Sequence, residues 1–436
     1  MKKLTVAMVF VCMVALIGCA SLAQEKAASP LWQAGNVRDK IVVCSDIHLG
    51  IEDAYSETVG NRRYFVEFLE RLATTTDVRE LVIDGDFLDE WYLPLSYVET
   101  DRAEFYKAVI ENNPRVFEAI GDVIASGIKV VYVVGNHDMS VDAGMIRALV
   151  PGLVVETDRP GVGVYITGDR NEIAIEHGHR YDVYSAPDTI TNKAITKGQT
   201  LFPTGYFYAR YAADWVISGK PSFVADIPVI TDVPDKKTNE DQFFAYAYYR
   251  TLATEFSRIT LGNKFGDKIF NIRIDGYDGT YSVQDMFPVL NDKGEISAPM
   301  LFPNYQRTWD ARQDANGVKV KTNFGEAVMG ALGGGYFEKQ ARMQYSVDKA
   351  GSETEVVVFG HTHIPEFHEY GGNRYYINTG TWIDHNTNYK DKDGSLLSRT
   401  FAVITTGTSD TVDIYQYRED GSLRDMKEQF LADGMK

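Results

Sequence analysis

Residues 40–50 read Lys-Ile-Val-Val-Cys-Ser-Asp-Ile-His-Leu-Gly and contain the pattern that decides the fold. A short apolar run at residues 41–44 is followed at once by a polar cluster with Asp46 and His48. Short apolar runs bounded by polar residues are typical of buried strands. Similar runs recur at residues 81–83, 130–134, 173–175, 356–359, 375–377, 401–404 and 412–415.

Helical patterns separate the first three of these strands. The apolar residues Phe65, Phe68, Leu69 and Leu72 recur at the spacing of one helix face. Pro114 follows Asn113 as a first-turn proline behind a capping residue, and Gly127 ends that helix before the next strand. Strands that alternate with helices predict an α/β fold.

The chain divides by composition. Residues 38–180 and 351–418 carry the strand and helix pattern and are predicted to form one core domain. Residues 181–350 are rich in aromatic residues with weak strand signals. We interpret them as a large, mainly helical insertion that caps the functional site of the core and sets its substrate range. Residues 419–436 are predicted to be a C-terminal tail.

The N-terminus is typical of a targeting segment. Lys2 and Lys3 precede an apolar run that is too short to span a bilayer comfortably, which predicts a signal peptide over residues 1–18. The run ends in Leu-Ile-Gly followed by Cys19, which resembles the bacterial lipoprotein signal. We expect Cys19 to carry lipid and residues 19–37 to form a linker, with ordinary cleavage near Ala23 as the alternative. The expected location is the periplasmic face of the outer membrane or the cell surface, with the membrane as a partner through this anchor.

Composition narrows the classes of function. A hydrophobic content of 44% in 436 residues predicts a globular protein with a large core. A formal charge of −17 opposes contact with polyanions, so nucleic acid is not an expected partner. Removal of the leader would leave Cys44 as the one cysteine of the folded part, and its apolar neighbours predict a small buried residue.

Polar clusters follow five of the predicted strands. They are Asp46-Ile47-His48, Gly85-Asp86, Gly135-Asn136-His137-Asp138, His177-Gly178-His179 and Gly360-His361-Thr362-His363. Six of the eight histidines lie in these clusters, which random scatter would not produce. Because open α/β sheets form ligand sites at the carboxyl ends of their strands, we expect these side chains to meet at one edge.

The order Asp-x-His, Gly-Asp-x-x-Asp, Gly-Asn-His-Asp, His and Gly-His-x-His resembles that of the calcineurin-like metallophosphoesterases. The resemblance covers roughly residues 40–179 and 356–417. It implies a two-sheet β-sandwich flanked by helices, with two divalent metal ions at the strand ends. The implied ligands are Asp46, His48, Asp86 and His363 for one ion, and Asp86, Asn136, His177 and His361 for the other.

The implied ligand set makes chemical sense. Two cations about 3.5 to 4 Å apart need a bridging carboxylate, which would be Asp86. Mixed carboxylate, amide and imidazole ligands suit Mn, Fe, Zn or Ni better than Ca or Mg. The resemblance implies hydrolysis of a phosphoric ester by a metal-bound hydroxide. In it, His137 protonates the leaving group or stabilises the transition state, and Asp138 orients His137.

Residues 85–91 and 378–382 resemble the UDP-2,3-diacylglucosamine hydrolase-like subgroup more closely. However, the insertion between His177 and His361 is far longer than that of the subgroup, whose enzymes act on the cytoplasmic side. We therefore expect a phosphomonoester or phosphodiester of a small molecule, nucleotide or lipid without choosing among them. Trp91 and Trp382 are interpreted either as core aromatics or as aromatics at the rim of the site.

Several polar residues near the motifs have two interpretations. His179 either contacts a substrate phosphate or supports the metal ligands. Arg180 is a candidate substrate-binding residue, and Arg210 and Arg250 either grip an anionic substrate or are solvated. The aromatic run at residues 206–215 either packs the insertion or forms a lid over the substrate.

Two other functions remain as alternatives. A noncatalytic metal-binding scaffold lipoprotein would keep the fold. Such a protein is expected to lose metal ligands or the histidine that acts as general acid, and none of these residues is missing here. A metal-dependent nuclease would use the same core, but the negative charge and the lack of a basic run oppose it.

Overall fold

The computed structural model describes residues 28–98, 101–197, 202–274, 277–330, 335–391 and 393–434. The predicted signal peptide and Cys19 lie outside the described residues, as does the beginning of the predicted linker.

The described residues form strands and helices in alternation. The strands are β1 (Lys40–Cys44), β2 (Val78–Asp84), β3 (Lys129–Val133), β4 (Val154–Glu156), β5 (Tyr165–Thr167), β6 (Ile173–Ile175), β7 (Phe270–Ile274), β8 (Tyr277–Tyr281), β9 (Val289–Leu290), β10 (Ile296–Ser297), β11 (Val356–Phe359), β12 (Glu366–Glu369), β13 (Tyr375–Asn378), β14 (Thr400–Thr405), β15 (Thr411–Tyr417) and β16 (Leu423–Asp425). The α-helices are α1 (Arg62–Ala73), α2 (Arg102–Asn112), α3 (Pro114–Ala125), α4 (Ala143–Leu149), α5 (Lys193–Thr196), α6 (Thr204–Ile217), α7 (Glu240–Arg258), α8 (Tyr305–Ala315), α9 (Phe324–Gly330), α10 (Tyr336–Tyr345) and α11 (Lys427–Gly434).

Two sheets form the core. The larger has the order β16-β15-β14-β1-β2-β3-β4, in which β1 to β4 are parallel and β14 runs antiparallel to β1. The smaller has the order β12-β13-β11-β6-β5, in which β6, β11 and β13 are parallel. Parallel strands are covered on both faces, which explains their nearly continuous apolar runs.

Alternate side chains of β1 show how the layers are stacked. Ile41 and Val43 lie in the apolar cluster between the two sheets, together with Ile175 and Val358 of the smaller sheet. Val42 and Cys44 point the other way, into the cluster that the flanking helices form. The predicted two-sheet sandwich flanked by helices is therefore confirmed, and Cys44 is buried as expected.

Helices α1 and α3 cover the outer face of the larger sheet. Phe65, Phe68, Leu69 and Leu72, the predicted stripe of α1, are all buried. Pro114 occupies the first turn of α3, but Asn113 makes no side-chain cap. Its side-chain amide instead donates to the carbonyls of Gly50 and Val109, which ties the junction between α2 and α3 to the loop after β1.

The segment between β6 and β11 packs on the outer face of the smaller sheet. Its apolar cluster includes Val357, Phe359 and Tyr376 of that sheet. The segment is mainly helical but also contains the hairpins β7–β8 and β9–β10. Tyr206 and Tyr211 are buried in the cluster, which favours the packing interpretation of this aromatic run.

The end of the chain joins the core. Strand β16 pairs with β15 in the larger sheet, and Met426 and Phe430 are buried between the sheets. The segment predicted as a tail therefore contains a strand and a helix. Three residues are too few for an alternation pattern to indicate a strand. None of the helices in the described ranges is long and apolar enough to cross a bilayer.

Candidate metal centre

The predicted ligands lie just beyond the ends of five strands. Asp46 and His48 follow β1, Asp86 follows β2, Asn136 follows β3, His177 follows β6, and His361 and His363 follow β11. The first three strands are parallel neighbours in the larger sheet, and the last two are parallel neighbours in the smaller one. Strands that run in one direction end at the same edge, so both sheets deliver polar side chains to one place.

The backbone at these positions is unusual. Positive φ values occur at Asp46 (54°), His48 (50°), Asp86 (50°), His361 (71°) and His363 (58°). Left-handed conformations are uncommon outside glycine and typically cost about 1–3 kcal/mol each. They persist where the surrounding structure fixes them, which is most often at a functional site.

Glycines let the ligand loops approach one another. A Cβ atom at Gly135 would lie 2.3 Å from Asp86 Oδ1, and one at Gly360 would lie 2.7 Å from Asp46 Oδ2. Neither distance is compatible with a side chain. The glycines of the motifs are thus explained by the close approach of backbone to ligand carboxylate.

The first ligand group consists of Asp46, His48, Asp86 and His363, whose ligand atoms lie within 4.8 Å of one another. His363 Nε2 is 3.2 Å from Asp46 Oδ1 and 3.1 Å from His48 Nε2. His48 Nε2 is 3.7 Å from Asp86 Oδ2. This spacing brings carboxylate and imidazole atoms around a common point.

The second group consists of Asp86, His177 and His361, within the same limit of 4.8 Å. His177 Nε2 lies 3.1 Å from Asp86 Oδ2, and Asn136 Oδ1 lies 2.8 Å from His361 Nδ1. Asp86 therefore belongs to both groups, as a bridging ligand must. The assignment of these seven residues to two ions stays a prediction.

The polar atoms at the centre of this cluster fit metal ions. Asp46 Oδ1 and His177 Nε2 are buried, and neither has a hydrogen-bond partner among the described residues. Buried polar atoms without partners are costly, and cations between them would satisfy both. Burial raises the pKa of Asp86, but the charges of His177 and His137 outweigh it and hold this pKa well below its usual value.

Three of the candidate ligand histidines are oriented by a hydrogen bond at the second ring nitrogen. His48 Nδ1 donates to Asp89 Oδ2 at 2.9 Å, and His177 Nδ1 donates to the carbonyl of Asp84 at 2.7 Å. His361 Nε2 donates to Asp182 Oδ2 at 3.1 Å. Contacts of this kind fix the ring orientation and leave the other nitrogen free for a metal.

The sequence patterns do not predict the role of Asp182 or the contacts of Asp89. Asp89 is the second aspartate of Gly-Asp-x-x-Asp, but this motif does not indicate that Asp89 contacts His48 and His137. Asp182 belongs to no motif, and it lies just inside the insertion boundary. Burial raises its pKa, but the hydrogen bond from His361 and the charge of that histidine hold it below the usual value.

The orienting contact predicted for Asp138 is made by Asp89 instead. His137 Nδ1 lies 2.8 Å from Asp89 Oδ1. Asp138 accepts hydrogen bonds from the backbone N–H groups of Phe87 and Gly135 and from the Tyr132 hydroxyl. Asp138 thus fixes the loop that carries His137, and its contact with the imidazole is the part of the prediction that is corrected.

Trp91 links His137 to the insertion. Its ring centroid is 4.7 Å from that of His137, and it also packs against Phe202 and Tyr206. Both tryptophans are fully buried, but Trp382 packs against Phe65 of α1. Trp91 is therefore next to the site, whereas Trp382 is a core residue.

The two predicted substrate-binding residues occupy different surroundings. His179 is buried, its ring lies 5.5 Å from that of His177, and its Nε2 donates to the carbonyl of Gly161 at 2.7 Å. Burial and the nearby charges of His177 and His361 lower its pKa well below the usual value.

Arg180 is buried as well, with Nε 2.6 Å from Glu176 Oε2 and an Nη1 hydrogen bond to the carbonyl of Asn316. The structure thus gives it an anionic partner within the protein. Arg210 likewise donates to the carbonyls of Leu93, Pro94 and Tyr97, which ties α6 to the loop after β2. Neither guanidinium is positioned as a free anion-binding group.

Comparison with known proteins agrees with this fold and site. Residues 39–219, which carry the first four ligand clusters, match the family model for calcineurin-like phosphoesterases. This part of the chain is thus similar to the calcineurin-like phosphoesterases, in agreement with the resemblance of its motifs. A search of curated proteins gave no match.

A search of solved structures gave matches with low TM-scores. A dimetal phosphatase from Danio rerio is 8% identical, with a TM-score of 0.32, and the match covers 86% of this chain and 99% of that one. The phosphopantetheinyl hydrolase from Mycobacterium tuberculosis is 12% identical, with a TM-score of 0.24, over 81% and 90% of the two chains.

Replacing the shared carboxylate should weaken both metal sites. Asp86→Asn keeps the size of the side chain, and asparagine tolerates the left-handed backbone at this position. We expect elemental analysis to show metal loss from both sites, whereas Asp122→Asn on the surface of α3 should bind like the parent protein. Full metal content in Asp86→Asn would refute the bridging assignment.

Asp182→Asn tests the contact behind His361. Loss of an outer partner of a metal-bound histidine typically weakens metal affinity about 10- to 100-fold. Because Asp182 contacts only one ligand group, calorimetric titration should show this loss in one of two binding steps. An equal loss in both steps, or none, would contradict the assignment, and Asp122→Asn again serves as the control.

Proposed function

We propose that this protein hydrolyses a phosphomonoester or phosphodiester with two divalent cations held by the predicted ligands. The observation that carries the proposal is the position of Asp86 in both ligand groups. When bound, such cations would neutralise charge on a phosphoryl group and activate a water molecule for attack. Mn, Fe, Zn and Ni all suit the ligand set, and the choice among them is left to experiment.

His137 is suited to act on the leaving group. Its backbone N–H donates to Asp86 Oδ1 at 2.8 Å, which fixes it beside the proposed bridge. Asp89 holds Nδ1, and the side chain stays 15% exposed, so the ring borders both the ligands and the solvent. A proton donor at this place can protonate the departing oxygen as the P–O bond breaks.

Two rival functions are less well supported. A noncatalytic scaffold would not need His137 held beside the ligands by Asp89. A nuclease would need a basic surface for a polyanion, whereas the formal charge is −17. A small-molecule, nucleotide or lipid phosphate is the better substrate class.

The proposal is tested by a hydrolysis screen of the Mn-loaded protein. The panel should contain aryl phosphomonoesters, bis-aryl phosphodiesters, nucleotides and lipid phosphates. Turnover of at least one class that disappears with chelator is expected. No metal-dependent turnover of any class would favour the scaffold.

His137→Ala should retain metal but lose turnover. Proton delivery to a leaving group typically contributes about 10²- to 10⁴-fold, so kcat should fall by that factor for alkyl esters. The loss should be smaller for 4-nitrophenyl esters, whose leaving group needs little protonation. An equal loss for both would assign His137 to charge stabilisation at phosphorus, and His385→Ala on the exposed surface is the control.

We also propose export as a lipoprotein, from the pattern of a cationic start, an apolar run and Leu-Ile-Gly before Cys19. The several acyl chains of a lipoprotein would anchor it firmly, whereas one chain binds membranes only marginally.

Mass spectrometry of the protein made in a bacterial host should therefore find an acylated N-terminal Cys19, and Cys19→Ser should remove the lipid. A free N-terminus at Gln24 would instead indicate ordinary cleavage and a soluble exported enzyme.

A further inference from the structure

A cavity of about 810 Å³ lies against the candidate metal centre. The predicted ligand His361 lines it, together with its partner Asp182 and the adjacent Thr362. The opposite wall comes from α7 and from Phe337 of α10. This volume falls within the usual range for small-molecule sites, roughly 300–1,000 Å³.

Helix α7 has two distinct faces. The cavity is lined from this helix by Phe243, Tyr246, Ala247, Arg250, Thr251, Thr254, Glu255 and Arg258. These positions recur every three or four residues, which is the spacing of one helix face. The other face, with Phe244, Tyr248, Leu252 and Phe256, is buried in the core of the insertion. The packing of the helix therefore fixes which side chains face the cavity.

Most charges that line the cavity are already paired. Arg258 Nη1 lies 2.8 Å from Glu255 Oε2, and Glu366 Oε2 lies 3.2 Å from His368 Nε2. Asp182 is engaged by His361. Arg250 differs, because within the described chain it has no hydrogen bond or ion pair. It is a cation on the cavity wall without an anionic partner.

Four aromatic residues also line the cavity, namely Phe243, Tyr246, Tyr336 and Phe337. Phe243 and Tyr246 lie one helical turn apart on α7, and the ring of Phe337 is 5.4 Å from that of His361. Aromatic rings thus lie both beside the candidate ligand His361 and on the helix face that carries Arg250. Flat aromatic groups of a ligand pack well on such surfaces.

From this arrangement we propose that the cavity binds the organic part of the substrate and that Arg250 binds a second anionic group on it. The proposal rests on the proposed phosphoesterase function. The substrate class it names is a phosphate ester with an aromatic group and a second phosphate, as in a nucleoside that carries two phosphates. Arginine suits this role because its guanidinium can donate two parallel hydrogen bonds to a phosphate.

The test compares Arg250→Gln with the parent protein on substrates that differ in charge. The substrates are 4-nitrophenyl phosphate, AMP, ADP and adenosine 3′,5′-bisphosphate. Hydrogen bonds to charged groups contribute about 1.5–3 kcal/mol, so kcat/KM for at least one two-phosphate nucleotide should fall about 10- to 100-fold. Hydrolysis of 4-nitrophenyl phosphate, which has no second anionic group, should fall by a much smaller factor.

A matched control is Arg258→Gln, on the same face of the same helix but already paired with Glu255. It should leave the discrimination between one and two phosphates intact. Calorimetry on the metal-free protein adds a readout independent of turnover, in which the two-phosphate nucleotides should bind more weakly to Arg250→Gln.

The possible failures are separable. The absence of metal-dependent hydrolysis by the parent protein would overturn the proposed function. Calorimetry would still test whether Arg250 binds a second phosphate. Hydrolysis of aryl phosphate with no Arg250-dependent preference for a second phosphate, in either kinetics or binding, would overturn the inference alone. An equal effect of Arg250→Gln and Arg258→Gln would also overturn it, since binding would then depend on the total positive charge of the helix face and not on Arg250 itself.

Discussion

The main constraint on this structure is that it holds many buried carboxylates and imidazoles close together at one end of the sandwich. Asp46 and Asp86 are almost fully buried, and so are Asp84 at the end of β2 and Asp89 in the loop that follows it. Carboxylates removed from water repel one another unless cations or protonated histidines stand between them. Burial raises the pKa of Asp84, whose two carboxylate oxygens have no partner in the described chain. Only a rigid scaffold can hold such a cluster together.

The two sheets provide that rigidity. Each ligand loop begins where a strand ends in buried residues, so the strand fixes the start of the loop. The left-handed residues Asp46, Asp86 and His361 are then held by contacts across loops: Asp46 N–H donates to the Gly85 carbonyl at 3.1 Å, and His361 N–H donates to Asp46 Oδ2 at the same distance. The cost of the backbone conformation is thus met by packing and hydrogen bonding in the rest of the core.

Local patterns in the sequence predict the strands and the ligand clusters, because the apolar run and the polar cluster that follows it are both adjacent in sequence. The orienting residues are harder to predict. Asp138 is next to His137 in the chain, yet backbone geometry turns it towards Phe87, while Asp89 reaches the imidazole from another loop. Arg180 shows the same limit. Its ion pair with Glu176 depends on the turn that the chain makes after β6, and the local sequence pattern does not predict that turn.

The insertion and the metal centre are not independent parts. His361 lies between Asn136 of the core and Asp182 at the base of the insertion, and Phe337 of the insertion packs against its ring. The ring position therefore depends on both parts of the chain. A ligand that restricts the cavity wall would also restrict Asp182 and His361, and would thereby change the free energy of metal binding at His361. Such a coupling is reciprocal. Metal bound to His361 would in turn favour the binding of such a ligand. The long segment between β6 and β11 thus helps to position the candidate ligand His361.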